Sequence, residues 1–239
     1  MPRRKIARSG NPPLSVVGEE APARRPPRAK VNALAAPPAK PRRTTKAQSI
    51  AKPESSRVYQ FKITLLNSQP PIWRRIQMLD GTLDALHWQI QFAMGWTNSH
   101  LDEFLIRGKR YGEPEFSEDD PTVINSLTTR LSDLRLIAGQ QTKFIYTYDF
   151  GDSWEHEIQV EASPPLDPKA KYPRCLEGER ACPPEDCGGV WGYRDLLTAY
   201  QDRRHPDHAM YREWLGNQFN SEKFDPQKAT KLMQRGQSN

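Results

Sequence analysis

The sequence predicts an α+β domain, an antiparallel sheet of hairpins with packed helices, preceded by a disordered basic N-terminal tail. Three observations predict it. Composition breaks near residue 56, apolar residues alternate with polar ones in paired runs, and helical spacings cluster later in the chain. Met1 to Ser56 holds 13 Lys+Arg against 3 Asp+Glu and has no aromatic residue. It cannot bury enough apolar area to offset the entropy of ordering it. Residues 1–56 are therefore the tail and 57–239 a single domain.

Within the domain, Tyr59, Phe61, Ile63 and Leu65 alternate with polar residues, a half-buried strand. After Pro70-Pro71, Ile72, Arg74, Ile76 and Met78 alternate again, which suggests a hairpin-like pair. Asp80-Gly81 is a turn and Thr82 a helix cap. Leu83, Leu86, Ile90, Ala93 and Met94 form one helical stripe that also carries His87, a core or boundary histidine, and Gly95 ends it. Leu101 to Ile106 and a return to Tyr111 form another hairpin, and Glu113 to Asn125 reads as an acidic loop. Phe144, Tyr146, Tyr148 and Phe150 share one side of a strand. Beyond the Gly151-Asp152 turn, Trp154, His156, Ile158 and Val160 share one side of the next. Pro164 to Gly189 reads as irregular. Tyr193, Leu196, Leu197 and Tyr200 mark a helix. Pro206 opens a second, with Met210, Tyr211, Trp214 and Leu215 as its apolar side. Asp225-Pro226 caps a third.

Charge divides the chain. The whole carries 35 Lys+Arg and 29 Asp+Glu, a net of +6, so removing the tail leaves 22 and 26, a net of −4. Basicity belongs to the tail, which excludes a domain that is basic overall. No apolar run is long enough for a membrane span or a secretory signal. The three cysteines, an odd number confined to Cys175–Cys187, do not form a secreted disulfide framework; a reducing, cytoplasmic setting is expected.

Several local signatures occur in a fixed order: Pro70-Pro71-Ile72-Trp73-Arg74-Arg75, Ala93-Met94-Gly95-Trp96, His100-Leu101-Asp102-Glu103-Phe104, and Tyr148 through His156. They continue with Tyr172-Pro173-Arg174-Cys175, Ala181-Cys182 through Cys187-Gly188-Gly189, and Trp191-Gly192-Tyr193. In this order and spacing the chain resembles the plasmid pRiA4b ORF-3-like family, from about Val58 to Leu215. The resemblance implies an α+β domain of bacterial or plasmid origin with no established activity. Asp102 stands where relatives often carry the second histidine of His-x-His-x-Phe. The transposon-resolvase label of some relatives finds no chemical support: no activated serine with clustered arginines is identifiable.

Four sets of residues could carry chemistry. Cys175, Cys182 and Cys187, with His156 as fourth donor, are the expected ligands of a structural zinc; His205 and His208 are alternative fourth donors. Gly188-Gly189 would let backbone approach the ion. Reduced loop cysteines without metal, or a reactive cysteine, are the alternatives. Asp149-Phe150-Gly151 has none of the companion motifs of a kinase and reads as a turn. Glu155, Glu157 and Glu161 share one face of a strand opposite His156, an acidic solvent face unless two carboxylates converge on a pocket. Trp73, Arg74, Trp96, His100, Trp154 and Trp191 form either core or a ligand groove. Arg74 and Arg75 must face opposite sides of their strand.

The expected function is a non-catalytic binding or accessory module with a zinc-pinned cysteine loop. Arg42, Arg43 and Lys46 of the tail would add weak nucleic-acid binding. A metal-dependent hydrolase or nuclease using His156, His100 and nearby carboxylates is the rival. A metal-free domain that binds an unidentified protein partner is the third reading.

Overall fold

Alternation at a period of two sends one set of side chains from each strand into the core and leaves the other on an open face. The computed structural model describes residues 57–116, 120–139 and 142–236. They belong to a unit that runs Ser49–Asn239. The strands are β1 (Val58–Leu65), β2 (Ile72–Leu79), β3 (Asp102–Ile106), β4 (Lys109–Gly112), β5 (Ile124–Asn125), β6 (Lys143–Tyr148), β7 (Trp154–Ala162) and β8 (Arg174–Glu179). They form one sheet in the order β5-β4-β3-β6-β7-β1-β2-β8. Neighbours are antiparallel except the two-residue pairing of β4 with β5, which is parallel.

The helices are α1 (Leu83–Met94), α2 (Gly189–Gln201), α3 (His208–Leu215) and α4 (Pro226–Gly236). Thr82 caps α1 by accepting the Ala85 N–H at 3.1 Å. Gly95 ends it in the left-handed region at φ 100°. Asp225 caps α4 through its Oδ1. Leu83, Leu86 and Ile90 of α1, Tyr193 and Leu196 of α2, and Ala229 and Met233 of α4 join the core side of the strands, Phe61, Ile63, Ile76, Tyr146 and Ile158 among them.

Three expectations need correction. The segment read as irregular from Pro164 contains β8, an edge strand with one buried residue, Cys175, and so almost no alternation to read. Phe150 leaves the strand pattern: β6 ends at Tyr148 and Phe150 stands 54% exposed in the turn. The apolar side of α3 is only half covered: Tyr211 and Leu215 pack partly buried against the core, while Met210 and Trp214 are exposed.

The tail and its Arg42, Arg43 and Lys46 lie outside the described residues. No described helix is long and apolar enough to cross a membrane.

Candidate functional site

Two tight turns and one loop meet at the end of the β6–β7 hairpin. Asp149 lies just past β6 with φ 58°, a conformation its short polar side chain tolerates. Its Oδ1 accepts the Gly151 N–H at 2.9 Å and the Asp152 N–H at 3.3 Å, which makes the Asp-Phe-Gly segment the expected turn. That leaves Oδ2 free of the turn. It lies 3.6 Å from His100 Nε2, and Asp186 Oδ1 lies 3.0 Å from the same nitrogen. Among the described residues, His100, Asp149 and Asp186 are the one set of three His, Cys, Asp or Glu whose ligand atoms all fall within 4.8 Å of one another.

Neighbours fix this arrangement. Glu185 accepts from the Thr97 N–H at 3.1 Å, from the Thr97 hydroxyl and from Tyr148 Oη. Partial burial pushes the Glu185 carboxyl up, but those hydrogen bonds outweigh it and hold it below the usual range. Burial and the bond to Glu185 keep the Tyr148 phenol protonated well above its ordinary range. Gly188 N–H donates to Asp152 Oδ2 at 3.1 Å. The chain on either side of Asp186 is thereby anchored, while its side chain stays exposed. Ser99 N–H donates to Tyr148 Oη at 2.9 Å, and the His100 ring stands edge-on to Tyr148 at 5.9 Å.

His100 also lines a cleft of about 760 Å³ with Asp102, Glu103, Glu113, Glu115 and Asp120. Among the described residues Arg110 is the single guanidinium there, and it is already engaged by Glu103 at 2.6 Å and by Asp120. Burial, then the nearby charges of Asp102 and Asp84, raises Glu113 above the ordinary carboxylate range. Asp102 does not join His100. It lies 3.1 Å from Nδ1 of His87, whose ring also meets Tyr146 Oη at 2.8 Å and Asn98 Oδ1 at 3.0 Å. His87 is buried in the core, as its place on the helical stripe predicts.

The proposed zinc donors do not converge. Cys175, Cys182, Cys187 and His156 form no group with ligand atoms within 4.8 Å, nor do His205 or His208 complete one. The cause is the strand that the sequence hid. Cys175 sits in β8 opposite Ile76, with Thr230 of α4 bonded to its backbone, so it follows the sheet rather than the loop. Burial pushes the Cys175 thiol up to about 11 and Cys187 up to about 12, and moves Cys182 further up still. The cation beside Cys175 and Cys182 is Arg74. The Gly188-Gly189 backbone approaches Asp152, and the Gly189 carbonyl accepts from the Cys187 thiol at 3.9 Å rather than facing a shared ion.

The expected groove is dispersed as well. Arg74 is fully buried and donates to the carbonyls of Ala93, Trp73 and Glu179, with its guanidinium 3.7 Å from the Phe224 ring centre. Trp73 faces the other side of the sheet with Arg75, as alternation requires. Trp96 and Trp154 are core, 5.7 Å apart. Trp191 is 64% exposed on α2. His156 is buried against Trp96 and Tyr146, so a site shared with His100 is not formed; the rings of Trp96 and Tyr148 link the two. Glu155, Glu157 and Glu161 keep to the open face, where Glu161 pairs with Arg75 at 2.6 Å and Glu157 with Lys143 at 2.8 Å.

Comparison with known proteins is consistent with this fold. The family model described as "Plasmid pRiA4b ORF-3-like protein" matches residues 57–228. A protein of Sinorhizobium fredii (strain NBRC 101917 / NGR234), "Uncharacterized protein y4hQ", is 38% identical over 161 residues, 67% of this chain and 81% of that protein. The crystal structure of the protein of unknown function MM3350 from Methanosarcina mazei Go1 superposes with a TM-score of 0.65 at 35% identity. The match covers 72% of this chain and 96% of that one.

Proposed function

The chain belongs to the plasmid pRiA4b ORF-3-like family, and on that premise we propose that its domain is a non-catalytic binding module for a small organic cation seated in the cleft beside His100. The observation that carries this reading is the lining: among the described residues it has five carboxylates and one guanidinium, which two of the carboxylates engage. A concave site of one sign concentrates ions of the other. Its volume of about 760 Å³ suits a small molecule. Burial first, and then the like charges of Asp102 and Asp84, raise the Glu113 carboxyl, and a bound cation would offset the second of these. Phe150, exposed on the rim, offers a ring face to an amine or guanidine. Ser99, the hydroxyl on the lining, is held at 2.8 Å by Thr97 rather than by an imidazole, which favours binding over nucleophilic catalysis.

The same lining repels phosphate. Nucleic-acid binding in this reading belongs to the tail, whose excess of Lys and Arg includes Arg42, Arg43 and Lys46. Glu185 and Gly188 tie the cysteine loop to Thr97 and Asp152.

The test is thermal melting of the full chain with spermidine. The expected result is a saturable rise in Tm at low salt that shrinks in Glu113→Gln and in Phe150→Ala. A rise equal in all three proteins, or none in the wild type, would refute the cleft as the site.

A further inference from the structure

We propose that His100 Nε2, Asp149 Oδ2 and Asp186 Oδ1 bind one divalent transition-metal ion at the wall of the cleft, with at least one coordination position left open. The inference deepens the reading of the cleft as a cation site, because His100 belongs to both.

The first support is spacing. An ion with nitrogen and oxygen ligands at about 2.0–2.2 Å leaves neighbouring ligand atoms roughly 3.0–3.6 Å apart. The two carboxylate oxygens lie 3.0 and 3.6 Å from Nε2. The second support is orientation. His100 Nε2 is buried and makes no hydrogen bond, although Asp186 Oδ1 is at contact distance. A simple ion pair would align an N–H with the oxygen. Lone pairs that aim at a shared point do not align with each other.

The third support is the surrounding bonds. Asp149 spends Oδ1 on two turn amides, so its free oxygen is directed without further cost. Asp186 is framed by Glu185 on Thr97 and by Gly188 on Asp152. Such supports raise metal affinity by holding ligands in place before the ion arrives. One imidazole with two carboxylates suits zinc, cobalt or manganese better than a thiol-selective ion. Three protein ligands leave at least one position open to water.

The experiment is titration of Co²⁺, then Zn²⁺, into the chelator-treated full chain, followed by visible absorption and calorimetry. One ion per chain is expected, with a spectrum that lacks thiolate charge-transfer bands. Affinity should fall at least tenfold in Asp149→Asn, which keeps the Oδ1 turn acceptor, and in His100→Gln. Cys182→Ser should bind as the wild type does. Circular dichroism and Tm establish that each variant is folded. No binding by the wild type, unchanged affinity in both ligand variants, or loss in Cys182→Ser with thiolate bands would overturn the site. Spermidine binding measured on the same samples separates the two readings. Spermidine without Co²⁺ defeats the metal site alone, and Co²⁺ without spermidine defeats the organic-cation reading alone.

Discussion

His156 occupies an unusual position for an imidazole. It is fully buried between Leu65 and Tyr146 in neighbouring strands, and neither ring nitrogen has a hydrogen bond. Burial holds its pKa down at about 4, from an ordinary 6.5. The folded protein therefore keeps this ring neutral where the unfolded chain protonates it. The unfolded state binds more protons between those values, so stability is full above pH 6.5 and is lost as pH falls toward 4. The loss approaches on the order of 3 kcal/mol. His156→Phe removes the titrating group from a pocket of aromatic rings. Urea unfolding at pH 7 and pH 4.5 should show a shallower acid loss in this variant than in the wild type; parallel losses would contradict the assignment. Alternation alone put His156 on the buried side of β7. Its distance from the cysteines was not legible, because it depends on a strand pairing between segments far apart in sequence.

At the scale of elements, legibility followed the strength of the local pattern. The β6–β7 hairpin, the Thr82 cap and Gly95 stop of α1, and the Asp225-Pro226 start of α4 all carry their own turn or cap chemistry, and all form where the sequence places them. β5 and β8 are edge strands with one buried residue or none, so nothing in their composition separates them from loop. Two of the three residues of the candidate metal site were hidden as well. His100 was legible as a polar ring in a signature, but Asp149 read as a turn residue and Asp186 as one acid of a cysteine loop. Only the packing of that loop against the hairpin turn brings them together. Gly189 makes this packing possible. Its φ is 68°, and a Cβ there would lie 2.4 Å from the Asp152 carbonyl oxygen. Gly189→Ala should cost about 1–3 kcal/mol by denaturant unfolding. It should also weaken Co²⁺ binding, since Asp186 would lose its register with Asp149. A variant with wild-type stability and affinity would show that this contact does not position the site.

At the scale of the molecule, charge is segregated. The first 56 residues carry 13 Lys+Arg and 3 Asp+Glu, while the rest has 22 and 26. The two parts should therefore select ligands of opposite sign. Deleting residues 1–56 should abolish retention on a DNA column at low salt and leave the melting curve of the domain unchanged. Full retention after the deletion would contradict attachment through the tail, and retention of the full chain should itself fall steeply with salt. The same division agrees with the proposal that the domain's own ligand is a cation held at its acidic cleft. There one measurement bears most directly on the account: calorimetric titration of spermidine into the full chain at low ionic strength, beside Glu113→Gln. The account predicts one saturable site per chain with affinity reduced severalfold in the variant. Heats of dilution alone, or an isotherm that Glu113→Gln leaves unchanged, would contradict it.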